Sequence, residues 1–343
     1  MTKAKITLIT FLIISLSLIS CNNKSVSPYS ESHFALGTVC SITLYEKNKN
    51  FDFDDAFKII DKLEQKMSPV IKNSEIDQIN QNAGIQPIKV SEDTFFVIKE
   101  AIKYSEFKNS KFDITIGPLV DLWGIGTDHE GIPDISEIKN ILPLINSSKI
   151  KLNEKDRTVL LLEKGMAIDP GGIAKGYASD IVKDFLINQG FTKGIVNLGG
   201  NVLTFGEKAP KVPWKIGIQN PLDTRGSYLG TITIGPEAVV TSGIYERFFI
   251  QDGKRYHHIL DPVTGYPVEN DLLSITIVTA RGIEADAYST VVFSEGLQRG
   301  MDLLESKPEI EGIFVTKEKT IYISSGLSAS FTLTSDKYKI ISQ

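Results

Sequence analysis

A glycine-rich stretch at residues 169–180, DPGGIAKGYASD, places carboxylates and a lysine where an extended segment is predicted to become a helix. Glycines let the backbone approach a ligand closely, and a helix start offers free N–H groups and a positive dipole end. Asp169 could accept hydrogen bonds from a ring or a sugar, and Lys175 could bind a phosphate. Neither the P-loop pattern nor G-x-G-x-x-G is present, and a strand-to-helix turn without a ligand would have the same composition.

A second candidate is EADAYSTVVF at residues 284–293, which is predicted to be helical. Asp286 and Thr290 are four residues apart and would share one helix face. A carboxylate and a hydroxyl form an oxygen-only pair that suits a hard cation such as Mg²⁺. Two ligands cannot close such a site, so waters, backbone carbonyls or substrate phosphates would complete it. Helix capping by Asp286, without any metal, is the alternative.

Two of the four histidines fall in the third candidate, YHHILDPVTGYP at residues 256–267. His258 closely precedes an Asp-Pro-x-Thr-Gly turn signal, and a histidine can remove a proton near neutral pH. His257 competes with His258 for this role, and a loop histidine without any role is the plain alternative.

The hydrophobic pattern predicts an α+β fold, because strands and helices are partly segregated along the chain. A strand is predicted over residues 34–45, and residues 112–126 read as a strand or turn followed by a segment punctuated by Gly and Pro. Residues 158–169 resemble a hairpin. The remaining elements are helices near residues 53–67, 75–84, 93–107 and 136–141, helices starting near 175 and 284, and strands near 194–206, 214–220, 228–235, 238–250, 272–280, 311–316 and 320–324.

The amino terminus is predicted to be an export signal. A basic start at Lys3 and Lys5 precedes an apolar run over residues 6–19, which is too short to span a membrane. The ending LISC resembles a bacterial lipobox, so we expect residues 1–20 to be a lipoprotein signal peptide and Cys21 to be lipidated. An ordinary secretory signal is the alternative. Residues 21–32 are predicted to be a flexible tether, and residues 33–343 the folded domain.

Composition narrows the range of partners. A formal net charge of -5 gives no electrostatic reason to expect nucleic acid. Cys21 and Cys40 are the two cysteines of the sequence. If Cys21 carries lipid, Cys40 has no partner, and we expect it in the core rather than in a disulfide.

Taken together, these motifs resemble the ApbE family of flavin transferases. The matching elements, in family order, are LGT at Leu36, FDITIGPLVDLWGIG at Phe112, DPGGIAKGYASD at Asp169, NLGGN at Asn197, TSGIYERF at Thr241, HILDPVTGYP at His258 and EADAYST at Glu284. The resemblance implies a T-fold-related α+β domain of two intimate lobes. Its mixed or antiparallel sheets would be flanked by helices.

The resemblance also assigns residues. It implies that FAD is contacted by Leu36, Val70, Lys111, Phe112, Asp113, Asp169, Lys175 and Leu260. Val70 stands where the family often has an aromatic residue, and the position of Lys175 is an acid in some members. The metal ligands would be Asp286, Thr290 and the carbonyl of Gly172. Ser289 stands where some members have a further acid, which favours one metal ion over two.

The implied activity is Mg²⁺-dependent transfer of FMN from FAD to a threonine or serine of a target flavoprotein, with AMP as the second product. His258 is the expected base. Hydrolysis of FAD to FMN and AMP, or flavin binding without catalysis, are the alternatives. Targets would include flavoprotein subunits of membrane redox complexes. Cys21 would anchor the enzyme to the exported side of a bacterial membrane, which is periplasmic in a Gram-negative cell.

Overall fold

A nine-stranded sheet forms the centre of the protein. The structure, a computed structural model, describes residues 27–48, 50–107 and 110–341. Its helices are α1 (Phe53–Met67), α2 (Glu75–Gln81), α3 (Glu92–Ser105), α4 (Gly117–Trp123), α5 (Ile135–Ile141), α6 (Ala174–Asn188) and α7 (Gly282–Glu305, interrupted at Gly296).

The strands divide among one large and three small sheets. They are β1 (Tyr29–Ala35), β2 (Thr38–Leu44), β3 (Ile88–Lys89), β4 (Ile150–Asn153), β5 (Thr158–Leu161), β6 (Gly194–Leu198), β7 (Asn201–Phe205), β8 (Trp214–Gln219), β9 (Tyr228–Ile234), β10 (Ala238–Gly243), β11 (Phe248–Gln251), β12 (Lys254–His257), β13 (Leu272–Thr279), β14 (Glu311–Thr316), β15 (Thr320–Ile323), β16 (Phe331–Leu333) and β17 (Lys339–Ile341). The large sheet has the order β1-β2-β6-β7-β10-β13-β14-β15-β17, and its neighbours are antiparallel except for β15 and β17.

Both faces of the large sheet are covered. On one face, α1, α6 and α7 pack over the main apolar core. On the other, the three-stranded sheet β16-β9-β8 supplies a second core around Trp214 and Ile232. Strand β13 is therefore buried along its whole length, which explains its nearly continuous apolar sequence. A third cluster joins α4 and α5 to the β11-β12 hairpin around Trp123, Ile138 and Leu260.

Helices α6 and α7 meet through glycines at their amino-terminal ends. A Cβ atom on Gly176 would overlap the Gly282 carbonyl, and one on Gly282 would overlap the Ser179 hydroxyl. The Asp180 carboxylate accepts hydrogen bonds from Gly282 N at 2.9 Å and Ile283 N at 3.0 Å, which caps α7 from the side of α6. The two helices that carry Lys175 and Asp286 are thus held together by backbone contact.

Several sequence predictions about elements are wrong. The strands predicted near 194–206 and 238–250 are each two strands, β6 with β7 and β10 with β11. The strand predicted over residues 34–45 is a hairpin, because Leu36 and Gly37 turn the chain with φ of 54° and 66°. The segment after Phe112 that Gly and Pro punctuate contains the unpredicted helix α4, whose first turn accommodates Pro118. Strand β5 pairs with β4, which precedes it, and not with the residues that follow.

The amino-terminal boundary also differs from the prediction. Residues 29–32, assigned to the tether, form the start of β1. Residues 1–26, which include the predicted signal peptide and Cys21, lie outside the described residues. Over the described ranges, the structure contains no helix of the length and apolarity that crossing a membrane requires. Cys40 is fully buried in β2, as predicted.

Candidate active site

The Asp169 loop is held in place by hydrogen bonds from two other segments. Asp169 N donates to Ile114 O at 2.9 Å. The Asn80 amide on α2 bonds both backbone groups of Ile168, at 2.7 and 3.0 Å. Within the loop, Asp169 Oδ1 accepts from Gly171 N at 2.7 Å. Burial raises the pKa of Asp169, although the hydrogen bond from Gly171 opposes this shift.

The Asp286 carboxylate from α7 meets the first turn of α6. Its Oδ2 accepts from Gly176 N at 2.8 Å, and its Oδ1 lies 3.7 Å from Lys175 Nζ. Lys175 Nζ also donates to Gly171 O at 3.1 Å. Asp286 is 4% exposed. One oxygen of this buried carboxylate is held by a backbone N–H, and the other faces the lysine ammonium group. The structure therefore brings the two most chemically distinctive motifs of the sequence into one site.

Gly172 and Thr290 lie beside this carboxylate. A Cβ atom on Gly172 would be 3.4 Å from Thr290 Oγ1 and 3.1 Å from the Phe112 ring. Thr290 follows Asp286 by one helical turn on α7, as predicted. The carboxylate, the hydroxyl and the loop backbone at Gly172 therefore surround one small region, with Phe112 as its apolar wall.

His258 carries one ring nitrogen that the protein leaves available. Its Nδ1 lies 3.1 Å from Arg247 O, and its backbone N donates to the same carbonyl at 3.1 Å. A carbonyl can only accept, so Nδ1 carries the proton and Nε2 of the neutral ring keeps a lone pair. Although the ring is partly exposed, desolvation by the surrounding protein lowers the pKa of His258, and the Arg247 guanidinium lowers it further. The neutral form of the ring, which can accept a proton, is the one that this environment favours.

His257 differs from His258 in both respects. The side chain is buried, with Nε2 3.0 Å from Val268 O, and Nδ1 accepts from Ile259 N at 3.3 Å. Both ring nitrogens are therefore used within the fold, so His257 has no lone pair to offer a substrate. This geometry favours His258 over its neighbour as the base.

The remaining predicted flavin contacts occupy three different settings. Lys111 forms an ion pair with Asp261 at 2.8 Å, next to the buried Leu260. The Asp113 carboxylate accepts from Thr115 N at 2.8 Å and from Ser147 N at 3.1 Å. This carboxylate thus ties the segment around Phe112 to the residues just before β4.

Leu36 and Val70 lie in loops, and in the part of the chain that the structure describes no hydrogen bond links either residue to the cluster around Asp286. Leu36 occupies the turn between β1 and β2 with a positive φ, a conformation that is rare for a leucine and is enriched at functional sites. Val70, in the loop after α1, is 86% exposed. An exposed valine side chain can make apolar contact with a ligand, but it cannot stack on an aromatic ring as an aromatic residue would.

The sequence model of the ApbE family matches residues 36–314. That span runs from the Leu36 turn through the Asp169 loop and His258 to the helix that carries Asp286 and Thr290. The chain belongs to the ApbE family.

Relatives within the ApbE family match nearly the full length of the chain. The chain is 37% identical over 313 residues to the FAD:protein FMN transferase of Klebsiella pneumoniae. That match covers 91% of this chain and 97% of the relative. Identity to the FAD:protein FMN transferase of Treponema pallidum is 31% over 326 residues, or 90% of each protein. The crystal structure of the ApbE protein from Thermotoga maritima superposes with a TM-score of 0.81 at 30% identity, and the flavin transferase ApbE from Vibrio cholerae with 0.78 at 29%; each match covers 89% of this chain and 99% of the other. These matches confirm the predicted α+β fold.

The oxygen atoms at this ApbE-family site suit a hard cation such as Mg²⁺. Across the described ranges, no group of three or more His, Cys, Asp or Glu side chains could hold a metal ion. A metal at Asp286 would therefore take most of its ligands from Thr290, the loop backbone, water and substrate, which is the usual manner for Mg²⁺. The neighbouring Ser289 hydroxyl donates to Asp286 O at 2.7 Å and lies 2.8 Å from Ser242 Oγ, so it is already engaged.

Arg247 is the functional candidate that the sequence prediction missed. Its carbonyl orients His258, and its guanidinium is near enough to influence the pKa of both His258 and Asp169. A Cβ atom added to Gly126 would lie 3.6 Å from Arg247 Cδ. The arginine side chain therefore packs against the loop after α4. The signal was present in TSGIYERF, a matched motif to whose residues the sequence analysis assigned no chemical role.

Burial of His257 makes acid stability a test of its structural role. Burial lowers the pKa of His257 to about 4 from an ordinary 6.5, because the neutral ring is favoured in the folded state. As the pH falls, the unfolded chain takes up a proton at this residue before the folded protein does. Protonation therefore leaves the free energy of unfolding unchanged above pH 6.5 and lowers it between pH 6.5 and 4, by up to about 3 kcal/mol. We expect the free energy of unfolding, measured by urea titration, to fall less between pH 6.5 and 4 for His257→Gln than for the wild type.

The matched control for this titration is His129→Gln, since His129 is exposed. The free energy of unfolding of this variant should depend on pH as that of the wild type does. An equal pH slope in wild type and His257→Gln would contradict the assignment of His257 as a buried neutral residue.

Proposed function

We propose that this protein transfers FMN from FAD to a threonine or serine hydroxyl of a target flavoprotein and releases AMP. The observation that carries the proposal is the meeting of Asp286 with the Asp169 loop, where Gly176 N binds Asp286 Oδ2 at 2.8 Å. This contact joins a helix start, a lysine and an oxygen-only ligand set, which together suit a diphosphate and a hard cation. Two relatives are named FAD:protein FMN transferase, and FAD contains a diphosphate.

The residues of the chain divide the work of binding FAD. The glycine-rich loop and the start of α6 lie where backbone N–H groups can face a diphosphate. Lys175 would neutralise phosphate charge, and Asp169, held by Gly171, would accept hydrogen bonds from the flavin or the ribityl group. Phe112 and Leu260 would provide apolar contact. A Mg²⁺ ion held by Asp286, Thr290 and the Gly172 carbonyl would neutralise charge on the diphosphate oxygens.

His258 would activate the incoming hydroxyl. Its Nε2 lone pair accepts the proton as the target oxygen attacks the phosphorus on the FMN side of FAD. The new bond joins that oxygen to phosphorus, and the bond from phosphorus to the bridging oxygen breaks, so that AMP leaves with the bridging oxygen. Arg247, beside His258, would face the same phosphate charge. Positioning and charge stabilisation supply most of the rate in phosphoryl transfer, so these few residues suffice.

The test is an incubation of the protein with FAD, Mg²⁺ and a flavoprotein domain as target. We expect AMP release and an increase in target mass by one FMN unit in equal amounts. A target with its acceptor hydroxyl removed, by Thr→Val or Ser→Ala, should give neither product. AMP release without labelling of any target would identify a hydrolase, and stable FAD binding without AMP would identify a binding protein.

We also propose that the protein acts as a lipoprotein on the exported side of a bacterial membrane, on targets such as flavoprotein subunits of membrane redox complexes. The basic start, the apolar run and the LISC ending support Cys21 as the lipidated residue. The described domain begins at Tyr29 in β1, a few residues after Cys21, so a lipid there would keep the domain close to the bilayer.

Replacing Cys21 by serine tests the anchor. We expect Cys21→Ser to move the protein from the membrane fraction to the soluble exported fraction or to leave the signal uncleaved, because serine cannot form the thioether. Fractionation and mass analysis of the amino terminus measure this result. Cys40→Ser, at the other cysteine, is the control and should remain in the membrane fraction. Membrane recovery of Cys21→Ser equal to that of the wild type, with the signal cleaved before residue 21, would rule out this anchor.

A further inference from the structure

Lys175 lies among the same oxygen atoms that the proposed metal would use. Its ammonium group donates to Gly171 O at 3.1 Å and is 3.7 Å from Asp286 Oδ1. Within the part of the chain that the structure describes, no other cationic side chain comes within 4.0 Å of that carboxylate. Asp286 is nearly completely buried, and its second oxygen is already bound to Gly176 N. The ammonium group therefore provides the neutralising charge that a buried carboxylate requires.

A divalent ion and this ammonium group cannot share the pocket without a large electrostatic cost. Both would be attracted to Asp286 Oδ1, and a unit charge about 5 Å from a divalent ion repels it strongly even at an effective dielectric constant of about 20. Metal binding at this oxygen would therefore require the ammonium group to move away.

We propose that Lys175 is an internal counter-ion that competes with the metal for Asp286 and sets the affinity of the site for metal. This inference rests on the metal site of the proposed function. It adds that the Lys175 ammonium group neutralises the Asp286 carboxylate until a metal ion replaces it. It also adds that the charge at position 175 determines how much metal the protein binds before FAD arrives.

The structure allows this exchange without refolding. Lys175 lies in the first turn of α6, and its flexible side chain is 25% exposed, so the ammonium group can swing towards solvent or towards a phosphate. Asp286 stays in place meanwhile, because Gly176 N and the contact between Gly176 and Gly282 do not involve the lysine. Only one side chain has to move.

The experiment titrates the FAD-free protein with Mn²⁺, which prefers the same oxygen ligands as Mg²⁺ and is counted by electron paramagnetic resonance. We expect Lys175→Met to bind Mn²⁺ about 10- to 100-fold more tightly than the wild type, because the competing charge is gone. Lys175→Glu should bind still more tightly, since it adds a carboxylate. Lys175→Gln gives the same test with a polar side chain if the methionine variant does not fold.

Lys183→Met is the matched control. Lys183 lies on the same helix and also pairs with carboxylates, at 3.8 Å from Asp180 and 3.5 Å from Asp184, but away from Asp286. The Mn²⁺ affinity of Lys183→Met should stay within about twofold of the wild type, because Lys183 pairs with other carboxylates and screening weakens the effect of its charge on Asp286.

Two further outcomes separate this inference from the function on which it rests. If Asp286→Asn abolishes Mn²⁺ binding while Lys175→Met and Lys175→Gln bind no more tightly than the wild type, the metal site stands and the role of Lys175 is wrong. If Asp286→Asn binds Mn²⁺ as the wild type does, the metal site is elsewhere, and the proposed function and this inference fail together.

Discussion

Asp286→Asn is expected to reduce FMN transfer by about 10³-fold or more while the protein still binds FAD. The change preserves the size of the side chain, and the amide oxygen can still accept the hydrogen bond that Asp286 Oδ2 receives from Gly176 N. It removes the charge that would hold Mg²⁺ against the diphosphate, and that interaction matters most when charge grows in the transition state. AMP release, target labelling and FAD affinity measured on the same preparation provide the test.

Asp180→Asn is the control for this substitution. Asp180 is also a buried carboxylate, but it binds Gly282 N and Ile283 N at the start of α7 and has no place in the chemistry. We expect it to cost about 1 kcal/mol of unfolding free energy, as the loss of a helix cap does, with transfer largely retained. Transfer by Asp286→Asn within tenfold of the wild type would overturn the metal assignment.

His258→Asn is expected to slow FMN transfer by about 10²- to 10⁴-fold, the usual effect of losing a general base. Asparagine can still donate to Arg247 O from the position of Nδ1, so the loop should keep its shape. It cannot accept a proton as the imidazole Nε2 does. Single-turnover labelling of a target domain measures the rate, and FAD binding should be nearly unchanged.

His257→Gln is the control for His258, because both nitrogens of His257 serve the fold. Its loss of transfer should be less than tenfold, and its main defect should be in stability. If His257→Gln is the slower variant, the base is misassigned. Target labelling and AMP release should fall in parallel in His258→Asn, because a protein hydroxyl and water would need the same base.

Helices with long apolar faces could be predicted from the sequence alone. The sequence repeats apolar residues at helical spacing over the 15 residues of α1, and the structure buries Phe53, Ala56, Phe57, Ile60, Leu63 and Met67. Helix α4 could not be recognised in this way. It has seven residues, begins at Gly117 and ends at Gly124 in a left-handed conformation, and it is stabilised by packing of Trp123 against the distant residue Tyr256.

Strand pairing was the weaker part of the prediction. The alternation of Phe34 to Tyr45 continues through the turn because Phe34 and Val39 face each other across it, so period alone cannot reveal the break. No local rule places a leucine at φ of 54°, which Leu36 adopts. Strand β5 likewise has its partner upstream, where the sequence between β4 and β5 forms the actual turn.

The candidate site was predictable where its chemistry is local and not where it depends on distant segments. The spacing of Asp286 and Thr290 and the glycine loop were visible in the sequence. The contact of Gly176 with Asp286 joins residues 110 positions apart and follows from the packing of α6 on α7. The two histidines are adjacent in sequence, and their different roles appear only from their carbonyl partners, Arg247 and Val268.

The glycine contact between α6 and α7 makes the site a suitable scaffold for redesign. The spacing between the phosphate-facing loop and the Asp286 carboxylate is set by Gly176 and Gly282, where no side chain fits. Residues 175 and 290 can therefore be exchanged for other ligands without moving the two helices apart, whereas Ser289 is fully buried and bonded to Ser242. New metal preferences could be installed by changing charge and ligand type at these positions, whereas any addition at the two glycines would displace the carboxylate itself.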